Sequence, residues 1–180
     1  MLRRLCLVLL VAGLSGCAPP NVEITSGTAA DIHVEIKRLV IVTDVTQFRA
    51  DIAPHGMQIS ALKGALTDAL GKCGITVSFL SQDQIPAIYD NQEFVRTFSP
   101  DAILFLEQKY IKDGTPKVDE RYSAGIVDMA TRKLAWSAKI DMRRGWSREE
   151  ALATTIVDRL KNDSIFGSSC AGPIASQRSP

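Results

Sequence analysis

The chain has 180 residues, 46% of them apolar and 23% charged, enough to build one domain of ordinary size around its own core. Its net charge of +1 leaves no basic footprint for nucleic acid, and no run of like charge marks a polyanion-binding tail. The first element in chain order is a leader. Arg3 and Arg4 precede an apolar segment of ten residues, Leu5 to Leu14, which suits a secretory signal and is too short to span a bilayer. Ser15 and Gly16 are the small residues that a peptidase needs before its cut, and Cys17 follows.

The run Leu14-Ser15-Gly16-Cys17 behind that segment resembles the lipobox of bacterial lipoproteins. The resemblance implies a signal peptide over 1–16, cleavage after Gly16, and a diacylglyceryl group on the thiol of Cys17. An ordinary signal peptide with an unrelated cysteine is the alternative. Two or three acyl chains would anchor the protein stably, where one holds only weakly. Asp after the cysteine favours inner-membrane retention in enteric lipoproteins. Ala18 therefore implies the periplasmic face of the outer membrane rather than the inner membrane. Loss of Arg3 and Arg4 with the leader brings the net charge to −1. Residues 17–33 are expected to be the lipidated cysteine and a tether, with a reach of about 50 Å at most.

Residues 34–45 carry the β-branched run Val40-Ile41-Val42 and predict a strand buried on both faces. Over 57–72, Ile59, Leu62, Leu66, Ala69 and Leu70 recur at helical spacing, and Gly74 stands where a helix wants a left-handed C-terminal residue. Residues 75–80 predict a second strand, parallel to the first. A short helix or two is expected between Pro86 and Pro100. Three more strands are expected over 101–111, 118–129 and 134–142. In the last of these Leu134, Trp136, Ala138, Ile140 and Met142 alternate onto one face. Ser147 and Glu150 form a capping box that opens a final helix with the stripe Leu152, Ala153, Ile156, Val157 and Leu160. Residues 163–180, rich in Ser, Gly, Ala and Pro, are expected to be a flexible tail. The domain is thus an α+β unit over 34–162, ordered β-α-β-(α)-β-β-β-α. A single mixed sheet of about five strands would carry both long helices on one face.

The stretch Gly125-Ile126-Val127-Asp128-Met129-Ala130-Thr131-Arg132-Lys133-Leu134-Ala135-Trp136 resembles a strand-turn-strand unit of small periplasmic lipoprotein domains. These are the curli-secretion lipoprotein type, the amino-terminal domain of the Tol-system propeller protein, and lipoprotein activators of cell-wall synthases. In them a strand ends in Asp, turns through a Thr-Gly-Lys-like tripeptide, and resumes with an aliphatic residue and Trp. Here Arg132 replaces the usual Gly. The likeness implies a fold more than a function.

Candidate chemistry is sparse. The two histidines, His33 and His55, have no cysteine or carboxylate at metal-ligand spacing, and no metal or cofactor is expected. No Gly-x-Ser-x-Gly turn, phosphate loop or Gly-x-Gly-x-x-Gly motif occurs, so the chain is expected not to be an enzyme. Glu107, Asp119, Glu120 and Asp128 lie in the strand region, with Asp119-Glu120-Arg121 reading as a solvated segment. Of four cysteines, Cys6 leaves with the leader and Cys17 takes lipid. Cys73 and Cys170 remain, as a disulfide in an oxidising compartment or with Cys73 as a buried thiol. The bridge would close a long loop, a stabilisation of about 4–5 kcal/mol on chain entropy. Arg143, Arg144, Trp146 and Arg148 form the one concentrated basic feature. It is either a contact surface for an anionic partner, with Trp146 as anchor, or solvated arginines around a hydrophobic staple. Two functions lead, an accessory or assembly subunit that binds an envelope protein or a carrier for a lipid or cell-wall fragment; a small hydrolase, the third, would need clustered titratable groups. The carrier needs a deep apolar cleft, with Tyr89, Phe94 and Phe98 as candidate lining.

Overall fold

A computed structural model describes residues 22–29, 35–44, 58–81, 97–111, 119–143, 148–166 and 170. The elements are β1 (Val22–Thr28), β2 (Arg38–Asp44), α1 (Ile59–Gly71), β3 (Thr76–Ser81), β4 (Ala102–Ile111), β5 (Asp119–Asp128), β6 (Leu134–Arg143) and α2 (Arg148–Asn162). Among the described residues six strands form one sheet in the order β1-β6-β5-β4-β2-β3. β2 runs parallel to β3 and β4, and the β4-β5-β6-β1 half is antiparallel. The class is α+β with a mixed sheet, as expected, with one strand more.

β2 is sandwiched between β3 and β4, and its apolar run is buried on both sides. Leu39 and Ile41 join the main core, which both helices help to build. Val40 and Val42 join Ile103 in a second cluster on the opposite face. α1 presents Leu62, Leu66 and Leu70 to the main core, and α2 presents Leu152, Ala153, Ile156, Val157 and Leu160. Both helices end in the same way. The Ile75 amide bonds back to the Leu70 carbonyl at 3.2 Å, and the Ile165 amide to the Leu160 carbonyl at 2.9 Å. Each turn needs a left-handed residue, Gly74 at φ 72° in the first and Ser164 at φ 58° in the second.

Four expectations change. The span 17–33 is not wholly a tether, because 22–28 is β1, an edge strand that pairs with β6. Its inward positions Val22 and Ile24 pack against the core at period two, an alternation too short to stand out in a polar stretch. Leu134 does not share a face with Trp136. The β5–β6 register slips between Ile126 and Val127, so Leu134 lies on the far side against Gly125 and is 53% exposed, while Ala135 is buried. The span 163–180 is not wholly a loose tail. The turn after α2 folds Ile165 and Phe166 back into the core, and Cys170 is buried too. Glu120 is buried rather than solvated. The segment expected to be helical between Pro86 and Pro100 lies largely outside the described residues, as does Ser147 of the capping box.

Candidate functional site

Two ends of the sheet define the layout. Pairing of Val22 with Met142, Met142 with Glu120, and Glu120 with Ile111 puts the start of β1 beside the end of β6, the start of β5 and the end of β4. Both helices begin at this end. Glu149, in the first turn of α2, accepts a 2.7 Å bond from the backbone amide of Gln58, which precedes α1. That bond satisfies one of the free amides of a helix start that has no side-chain cap of its own.

A buried polar cluster sits here. Arg148 Nη1 donates to Glu120 Oε1 at 2.5 Å, and the Tyr122 hydroxyl donates to Glu120 Oε2 at 2.8 Å. Both ionic side chains are buried, Glu120 at 7% and Arg148 at 8% exposure, and Tyr122 is wholly buried. Burial pushes the Tyr122 phenol far above its ordinary pKa, and the charge and hydrogen bond of Glu120 push the same way. The phenol therefore stays protonated and acts as a donor. Gln108 pairs with Tyr122 across β4 and β5 next to a register shift, and its Oε1 is buried without a hydrogen-bond partner among the described residues. Chemically the cluster is a latch: a guanidinium on α2 and a phenol on β5 hold one carboxylate between them.

A second cluster closes the opposite end. Asp163 Oδ2, just beyond α2, accepts from the Ser26 hydroxyl of β1, from Trp136 Nε1 of β6 at 2.8 Å, and from Arg159 Nε at 3.2 Å. Burial raises the Asp163 pKa, but the bonds from Ser26 and Trp136 and the charge of Arg159 outweigh it and hold the carboxyl below the usual range. Nearby, Asp128 accepts from the Thr131 hydroxyl and from the Thr131 and Ala130 amides, shaping the β5–β6 turn. Its pKa is likewise raised by burial and lowered more by the bonds from Thr131 and Ala130. Arg132 sits at φ 58° in that turn. Cys73, beyond the end of α1, is disulfide-bonded to Cys170 across 97 positions.

The sequence-selected residues scatter. Arg143 is exposed at the end of β6, whereas Arg148 is drawn inward to Glu120 and is not available as a surface contact. Arg148 therefore takes no part in a surface patch with Arg143. Arg144 and Trp146 lie outside the described residues, as do Gly16, Cys17, His33, His55, Tyr89 and Phe94. Phe98 packs against the second apolar cluster. A groove of about 560 Å³ between the helices is lined by Ala61, Gly64, Asp68, Lys72, Glu149 and Thr154 among others, small and charged residues rather than an apolar cleft. Among the described residues no three His, Cys, Asp or Glu side chains gather as a metal set. No described helix is long and apolar enough to cross a membrane.

Sequence reasoning missed both latches. Strand parity could have found the first, because Glu120 shares its face with Tyr122, Ala124 and Ile126. Nothing local signals that Asp163 meets Ser26, 137 positions away.

No protein-family model and no curated protein matches the chain. Among solved structures it is similar to PelC from Paraburkholderia phytofirmans, described as a dodecamer. The two are 15% identical, the match covers 78% of this chain and 94% of that one, and the TM-score is 0.48. It is also similar to lipoprotein GNA1162 from Neisseria meningitidis, at 14% identity, 69% and 98% coverage and a TM-score of 0.38.

Proposed function

We propose that this chain is an envelope lipoprotein, held by lipid on Cys17 at the periplasmic face of the outer membrane, and that it serves as a non-enzymatic accessory or assembly subunit for an envelope protein. The observation that carries the reading is the Leu14-Ser15-Gly16-Cys17 run behind a charged and then apolar leader, with Ala18 after the cysteine. The polar clusters support the non-enzymatic part, since their side chains are engaged in joining elements: Glu120 with Arg148 and Tyr122, Asp163 with Trp136 and Ser26. A carrier of a lipid or cell-wall fragment would need an apolar cleft, and the groove between the helices is lined by small and charged residues. The test is capture of the tagged, lipidated protein from cross-linked envelopes beside a Cys17→Ala control. A reproducible envelope protein that is lost with Cys17→Ala is the expected result. A protein that carries no thioether lipid on Cys17 by mass spectrometry would sink the reading.

A further inference from the structure

We infer that the end of the sheet where β1 begins, carrying Val22, Met142 and Arg143, rests against the phospholipid headgroups of the membrane that holds the anchor, leaving the opposite end for the protein partner. The inference rests on lipidation at Cys17 and adds an orientation to it.

The reach of the tether sets the orientation. Only residues 18–21 separate Cys17 from Val22, the first residue of β1. Five fully extended steps span about 17 Å at most. Taking 18–33 as tether allowed about 50 Å, enough for any orientation; pairing of β1 with β6 removes that freedom. β6 has ten residues and is about 30 Å long at ~3.3 Å per residue. If the domain were inverted, Val22 would stand a full strand length above the bilayer, beyond the reach of its tether.

The register then gives the described strand residues at that end. Val22 pairs with Met142, beside the exposed Arg143, a cation placed to meet anionic headgroups. The starts of α1 and α2 are at the same end, joined through Gln58 and Glu149. The turn Ala130–Lys133 and the disulfide of Cys73 with Cys170 are at the other end, facing away from the membrane.

The lysines of the protein form a ruler for testing this. Lys109 is near the end of β4 at the proposed membrane side, Lys139 is midway along β6, and Lys133 precedes β6 at the far side. The lipidated protein is reconstituted on phosphatidylethanolamine and phosphatidylglycerol vesicles. It is then labelled with a membrane-impermeant amine reagent, and each lysine is compared with the Cys17→Ala protein in solution. We expect labelling of Lys109 to fall several-fold, Lys139 to change less and Lys133 to stay unchanged. A long Gly/Ser insert between Asn21 and Val22 should restore Lys109. Equal protection of Lys139 and Lys109 would mean that the domain lies on its β1 edge and would overturn the inference. So would protection of Lys133, or no protection with lipid present on Cys17; each of these leaves the lipoprotein reading standing. Absence of lipid on Cys17 overturns both.

Discussion

The two ends of α2 are fastened to the sheet by different chemistry. At its start a guanidinium and a carboxylate, Arg148 and Glu120, are both buried and bond to each other inside the protein. At its end Asp163 is only partly buried, and it gathers neutral donors from Ser26 and Trp136 with Arg159 at the rim. A buried ion pair is costly to desolvate and is worth little over an apolar replacement, but removing one partner strands a charge. A partly solvated carboxylate with several donors has water to fall back on. The first latch is therefore intolerant of single changes and the second graded.

The largest expected effect follows from that asymmetry. Arg148→Met should destabilise the fold by about 3–5 kcal/mol, because Glu120 is left buried without its countercharge and keeps only the Tyr122 hydroxyl. The triple change Glu120→Leu, Tyr122→Phe and Arg148→Met should recover most of the loss. Urea unfolding of the three proteins measures it, and equal losses from single and triple changes would end the comparison. Next in size is the disulfide. Cys170→Ala should cost about 2–5 kcal/mol, read as a lower thermal midpoint, because the long loop is released in the unfolded chain.

At the graded end, Asp163→Ala should cost about 1–3 kcal/mol, since Trp136 Nε1 loses its acceptor. This latch also carries a pH signature. The Asp163 pKa is lowered in the folded protein, as is that of Asp128. The folded state therefore binds fewer protons than the unfolded one in acid. The contribution is complete above the unfolded carboxyl value of about 4, and fades as pH falls through it toward the folded value. Asp163→Asn should flatten the decline in stability below about pH 4 in acid titrations followed by circular dichroism.

The smallest effects come from the matched helix ends. Gly74 and Ser164 occupy equivalent left-handed positions, and only the glycine is free of side-chain strain there. Ser164→Gly should stabilise by up to about 1 kcal/mol and Gly74→Ala should destabilise by about as much. Melting temperatures that move in the same direction would contradict the equivalence.

The local pattern was legible where it was long or chemically marked. The doubly buried β2, the leucine stripe of α1, the glycine that ends it and the stripe of α2 all follow from periodicity within one element. The site was less legible, because its groups converge from distant positions. Glu120 reads as solvated beside Asp119 and Arg121 until pairing with β4 and β6 sets its parity. Leu134 reads as core until a single register slip turns it outward.

By itself the sequence determined the class of the fold and the two helix faces, because apolar spacing commits each element to one buried side. Tertiary structure decided three further things. A short polar stretch became the edge strand β1 because β6 offered it an unpaired ladder. The chain after α2 became core because Ile165 and Phe166 join the main apolar cluster. Arg148 became an internal latch because Glu120 had been carried inward on β5. In each case the deciding partner is far away in sequence, and a contact of that kind has no periodicity to announce it.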